Sequence, residues 1–160
     1  MELATKSDPP DAAALYDRAI GWLAHREQCR AELARKLATI GGTDAQITPL
    51  LIQLEQQGYL SDARFSASWL RSRIQRGDTP TLAAHKARQK GVDEEALQQA
   101  LAACHFDAVA ASSRLLHKRD PYGFRFKDNK IWQRQIRYLA SKGFAPQVIL
   151  QVMQAKEREE

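Results

Sequence analysis

The chain has 160 residues, 44% of them apolar and 27% charged, with a formal net charge of +5. That length suits one ordinary domain or several small units that lean on one another, and the apolar content excludes disorder by composition. No apolar run approaches the roughly 18 residues of a membrane span. Cys29 and Cys104 lie outside any Cys-x-x-Cys pair, which points to a reducing compartment and a cytoplasmic protein.

In chain order, "MELATKSDPPDAA" (1–13) reads as a flexible tail without a signal-peptide pattern. "ALYDRAIGWLAHRE" then sets Leu15, Ala19, Trp22 and Leu23 on one helical stripe, and "CRAELARKLATI" does the same with Leu33, Leu37 and Ile40. Beyond Gly41-Gly42, Thr43 and Gln46 form a capping-box pattern ahead of Ile47, Leu50, Leu51 and Leu54. "SDARFSASWLRSRIQRG" supplies Phe65, Trp69, Leu70 and Ile74. "TPTLAAHKARQKG" opens with a Thr79 cap and with Pro80 in the first turn, where its missing N–H does no harm. Asp93 caps a helix carrying Leu97, Ala100, Leu101 and Cys104. "DAVAASSRLLHKR" and "NKIWQRQIRYLASKG" are helical, the latter with Ile131, Trp132, Ile136 and Leu139 inward. Pro146 starts a last helix with Ile149, Val152 and Met153.

Gly41, Gly91 and Gly143 mark one skeleton stated three times, at spacings of 50 and then 52 residues. Each follows a helical pattern and suits the left-handed position that ends a helix. Val92 and Phe144 precede their helices and can staple onto Leu97 and Ile149. These patterns predict an all-α fold of three tandem three-helix repeats at 14–58, 59–105 and 106–156, stacked into an elongated array that offers surface rather than a closed pocket. Trp22 and Trp69 read as core residues, Trp69 filling the volume left by Ala83, Ala84, Ala87 and Ala100. Trp132 stands among Lys130, Arg134 and Arg137, and both roles stay open for it.

An insertion, "HKRDPYGFRFKDN" (117–129), breaks the period of the third repeat. Its alternating aromatics and cations could stack on bases, or Phe124 and Phe126 could pin a long connection onto the core; the usual burial of Phe favours the pin.

Nothing in the chain motivates catalysis. His25, His85, His105 and His117 form no i,i+4 pair, and Gly41-Gly42 lacks the lysine and strand of a phosphate loop. We expect no catalytic residue, no metal and no cofactor. Charge is the informative feature: residues 114–142 hold nine Lys and Arg against Asp120 and Asp128, and residues 64–90 hold seven against Asp78. Such blocks suggest a polyanion or an acidic protein surface as partner.

"GYLSDARFSASWLRSRIQRG" (58–77) followed by a helix ending "RQKGV" resembles the central repeat of the RecX regulatory proteins, bacterial modulators of the RecA recombinase. "AIGWLAHREQCRAELARKL" (19–37) is similar to their first repeat and "IRYLASKGFAPQVILQVM" (136–153) to their third. Two features depart from the family pattern: Thr79 stands where a glycine usually precedes the proline, and Lys86-Ala87 replaces a Glu-Leu pair. The resemblance implies a curved, monomeric helical protein that lies along the RecA nucleoprotein filament, with DNA contacted weakly if at all. It implies inhibition of RecA ATP hydrolysis, strand exchange and co-protease activity, hence modulation of recombination, repair and the SOS response. The residues expected to meet the filament or nucleic acid are Arg71, Arg73, Arg76, Lys86, Arg88 and Lys90 in the second repeat, and Arg125, Lys127, Lys130, Arg134 and Arg137 in the third. Two other readings compete: a tandem helix-turn-helix-like DNA-binding protein and a solenoid scaffold indifferent to both RecA and DNA.

Overall fold

The computed structural model describes residues 8–155. Among them the chain forms nine α-helices, one 3-10 turn and no strand, as the helical periodicity requires. The helices are α1 (Ala12–His25), α2 (Arg30–Thr39), α3 (Asp44–Gln56), α4 (Asp62–Gln75), α5 (Pro80–Lys90), α6 (Glu94–Ala103), α7 (Ala108–Arg119), α8 (Asn129–Ser141) and α9 (Pro146–Gln154), with the 3-10 turn at Phe124–Phe126 between α7 and α8. Most of the expected tail, residues 1–7, and Lys156 at the end of the expected third repeat lie outside the described residues. Within the rest of that tail, Ala12 already begins α1, because the Asp11 carboxylate accepts the Ala14 N–H at 2.8 Å and caps it.

Helix starts form where short polar side chains can take up bare N–H groups. Gln46 Oε1 accepts the Thr43 N–H at 3.0 Å, Asp93 Oδ2 accepts the Ala96 N–H at 3.0 Å, and Thr79 Oγ1 accepts the Leu82 N–H at 3.2 Å. The three repeat-marking glycines all have positive φ: 99° at Gly41, 85° at Gly91 and 94° at Gly143. Gly143 is constrained twice over, since a Cβ there would also overlap Thr79 Oγ1 and Leu82 Cβ.

The chain divides into two compact units. The first comprises Met1–Ser68 and Ala87–Ala100, the second Trp69–Lys86 and Leu101–Glu160. In the first, α1, α2 and α3 pack together around Leu15, Ala19, Leu33, Leu37, Ile47 and Leu54, and Phe65, Val92 and Leu97 are also buried. In the second, α7, α8 and α9 enclose Leu116, Leu139, Phe144, Ile149, Val152 and Met153, with Leu70, Ala83 and Ala84 likewise buried. Burying a Leu or Phe side chain contributes about 1.5–3 kcal/mol, so each cluster is a real core.

The tryptophans are only half-buried. Trp69 donates its indole N–H to Ala83 O at 2.8 Å, using its polar edge as well as its area. Trp22 packs against the first core while Arg18 and Lys36 lie 5.3 and 5.5 Å from its ring centre. The expected pin is corrected: Phe124 is 48% exposed and Phe126 44%.

Gly143→Ala should lose at least about 2 kcal/mol in urea unfolding, from left-handed strain and steric overlap together. Gly58→Ala, with φ of 79° and open space around the new methyl, should lose only about 1 kcal/mol. Equal losses at both positions would mean that overlap at Gly143 is relieved without penalty.

Candidate interaction surface

A buried carboxylate must be paired, because water no longer solvates it. Three such groups recruit six of the chain's cations. Asp78 is buried and receives Arg73 Nε at 2.8 Å and Lys86 Nζ at 2.9 Å, with Lys142 Nζ 3.8 Å from its other oxygen. Burial alone would raise its pKa, but the hydrogen bonds from Lys86 and Arg73 and their positive charge prevail and hold it below the usual carboxylate range. Lys86 thus has a structural partner.

Glu32 is buried in the first unit between Arg26 and Lys90, whose Nζ lies 3.3 Å from Oε1. Its pKa is lowered in the same way: burial pushes up, and the two cations outweigh it. At the surface of that unit Arg88 grips Glu94 through three contacts of 2.9–3.1 Å.

Arg125 is the clearest correction to the expected set. It is 7% exposed, and its guanidinium donates to Asp120 Oδ2 at 3.0 Å, Met153 O at 3.1 Å and Ala155 O at 2.9 Å. Asp120 also accepts the backbone N–H groups of Phe124 and Arg125, at 2.7 and 3.2 Å. Burial would raise the Asp120 pKa, yet Arg125 and these backbone donors hold it low. This cluster fixes the connection between α7 and α8, and Arg125 is a structural residue.

Six members of the expected set are left: Arg71, Arg76, Lys127, Lys130, Arg134 and Arg137. All are exposed, and among the described residues none is bound to a carboxylate. Lys127 lies 5.9 Å from the Phe124 ring. Lys130, Arg134 and Arg137 follow one another by four and then three residues, sharing a face of α8, while Gln135 and Leu139 are buried on the other. All six belong to the second unit, which carries fifteen Lys and Arg against seven Asp and Glu; the first carries nine against twelve. Two further exposed cations, Arg114 and Lys118, lie one turn apart on α7 and line two clefts of about 540 Å³ each. They fell within the basic block of the sequence, and their four-residue spacing was the signal that singles them out.

Candidates for catalysis are sparse. No group of three or more His, Cys, Asp or Glu among the described residues could hold a metal. The buried Cys29 thiol sits 3.7 Å from Lys90 O, and burial raises its pKa, which disfavours the nucleophilic thiolate. Among the described residues no helix is long and apolar enough to cross a membrane.

Residues 61–101, spanning α4, α5 and most of α6, match the family model described as RecX, second three-helix domain. A regulatory protein RecX from Halorhodospira halophila is 34% identical over 148 residues, covering 92% of this chain and 91% of that protein. The chain belongs to the RecX family of regulatory proteins. A RecX from Leptothrix cholodnii is likewise 34% identical, over 91% of this chain and 90% of its own. The crystal structure of RecX from Lactobacillus salivarius has the same fold, with a TM-score of 0.74 at 19% identity over 89% of this chain and 94% of that one. Another RecX crystal structure gives 0.70 at 23% identity, covering 88% and 70%. Thr79 caps the start of α5, its hydroxyl accepting the Leu82 N–H.

The Asp120 and Arg125 pair sets an acid limit on stability. A carboxylate whose folded pKa is depressed adds stability that is complete above its unfolded value, near 3.9, and is lost as pH falls through the folded value. Unfolding free energy should therefore hold between about pH 5 and 8 and fall below about pH 4. Asp120→Asn should lose about 3 kcal/mol at neutral pH, leaving Arg125 buried without its counter-charge, and should flatten the acid slope. Urea titrations of both proteins across that range measure the two effects.

Proposed function

We propose that this RecX-family protein binds RecA nucleoprotein filaments and restrains RecA ATP hydrolysis, strand exchange and co-protease activity, so tuning recombination, repair and the SOS response. RecA brings the nucleotide and the catalysis, while this chain acts as a cytoplasmic, monomeric regulator built of three-helix repeats at 14–58, 59–105 and 106–156. The observation that supports the reading is the set of cations in the second unit that no carboxylate among the described residues holds, above all the Lys130, Arg134 and Arg137 face. Like charges one turn apart repel by a few tenths of a kcal/mol in an isolated helix, and an anionic partner turns that cost into attraction. The internally paired cations Arg73, Lys86, Arg88, Lys90 and Arg125 are assigned to the fold. Arg71, Arg76, Lys127, Lys130, Arg134 and Arg137 are assigned to the filament.

Titration into a RecA–single-strand ATPase assay, beside a duplex-DNA shift at two salt concentrations, tests the reading. The native protein should inhibit ATP hydrolysis and bind naked duplex weakly. Lys130→Glu, Arg134→Glu and Arg137→Glu together should raise the inhibitory concentration about tenfold or more, a change of about 1.4 kcal/mol or more in binding. Tight, base-selective duplex binding with a steep salt slope would instead favour a helix-turn-helix-like DNA binder. Unchanged inhibition after this triple reversal and after Arg71→Glu with Arg76→Glu would remove the assignment.

A further inference from the structure

The connection between α7 and α8 presents aromatic side chains outward from an anchored backbone. Tyr122 is 79% exposed, Phe124 48% and Phe126 44%. A three-residue turn sends its middle side chain to one side and its flanking ones elsewhere; here Arg125 turns in and both phenylalanines turn out. The backbone beneath them is held firmly: Asp120 accepts two backbone N–H groups and the Arg125 guanidinium, Arg125 reaches the end of α9, and Gly123 takes φ of 67°. Clustered exposed aromatics are unfavourable in water and mark interaction sites. Holding them in place beforehand removes much of the ordering entropy that binding would otherwise lose.

We infer that the Tyr122 and Phe124 pair, with Phe126 exposed on the same turn, is a protein-docking knob that enters an apolar pocket with an acidic rim on the partner. This rests on the filament-binding reading, under which that pocket belongs to a RecA subunit. Charge complementarity gives the rim its sign. Lys127 and Lys130 flank the knob, and the neighbouring carboxylates are engaged, Asp120 by Arg125 and Asp128 by capping the Lys130 N–H at 2.8 Å. Ring geometry selects a protein pocket over nucleobases. Base stacking needs open ring faces, yet Arg125 Cζ lies 4.4 Å from the Phe126 ring centre and Lys127 Nζ 5.9 Å from that of Phe124. The rings also meet at steep tilts, Tyr122 to Phe124 at 54° and Phe126 to Trp132 at 57°. Rings tilted against one another offer no parallel platform for successive bases, whereas they can fill a pocket. Buried aromatic anchors of this kind carry most of the affinity in many interfaces.

The test measures binding of the full chain to RecA filaments on single-stranded DNA and, separately, to a bare oligo(dT). The variants are Tyr122→Ser alone, Tyr122→Ser with Phe124→Ser, and Phe124→Leu. The double variant should bind filaments at least tenfold more weakly with an unchanged melting temperature, Tyr122→Ser should lose a smaller factor, and Phe124→Leu should retain most affinity because it still fills a pocket. Should the double variant melt early, Tyr122→Ser decides the matter, since that ring is mostly in solvent. Wild-type binding with no loss in either serine variant overturns the knob and leaves the filament reading intact. Loss confined to oligo(dT) binding also overturns it, in favour of stacking on bases. Failure of the native protein to bind filaments overturns both readings.

Discussion

A carboxylate withdrawn from water has to be met by positive charge, and that requirement sorts the cations of this protein. Glu32, Asp78 and Asp120 are buried, and the lysines and arginines nearest them are spent on neutralising them. Exposed carboxylates hold Arg30, Arg64 and Arg88 in addition. In the second unit the surplus is large, since fifteen basic residues face seven acidic ones, and it collects on one side of α8 and on α7. The first unit has the opposite balance. The distribution of surface charge thus follows in part from an internal requirement of folding: the interior claims its counter-ions first.

Much of the fold was legible because its determinants are local. Caps act within three or four residues, so Thr43, Thr79 and Asp93 announced helix starts from sequence alone. Left-handed glycines announced helix ends, and apolar periodicity distinguished helix from strand. The candidate site was only half legible. Lys90 meets a glutamate 58 positions away, a pairing that no spacing rule anticipates. Arg125 was counted as a surface cation since exposed arginine is the usual case. Its inward turn depends on a 3-10 geometry and on carbonyls at the end of α9, both set by tertiary context. The same geometry explains why Phe124 and Phe126 point out, against the usual preference of phenylalanine for the core.

Thr79 and Lys86, the two positions expected from sequence to depart from the family pattern, fit together physically. Thr79 uses its hydroxyl to cap α5. Lys86 supplies one of the cations that a buried Asp78 requires. A glutamate at 86 would face Asp78 across a short distance and repel it. These substitutions are compatible with the shared helical framework seen in the RecX crystal structures.

Lys142 touches the 77–79 turn in two ways: its carbonyl accepts the Thr79 N–H at 3.0 Å, and its ammonium approaches Asp78. Gly143, directly after it, lies against Thr79 and Leu82. Inserting a single residue here would shift both hydrogen-bonding register and side-chain direction at once, so this junction resists changes in length. The stretch around Tyr122 has its backbone anchored at Asp120 and Arg125 while its tip projects into solvent. Substitutions at that tip therefore leave the helical scaffold behind it untouched.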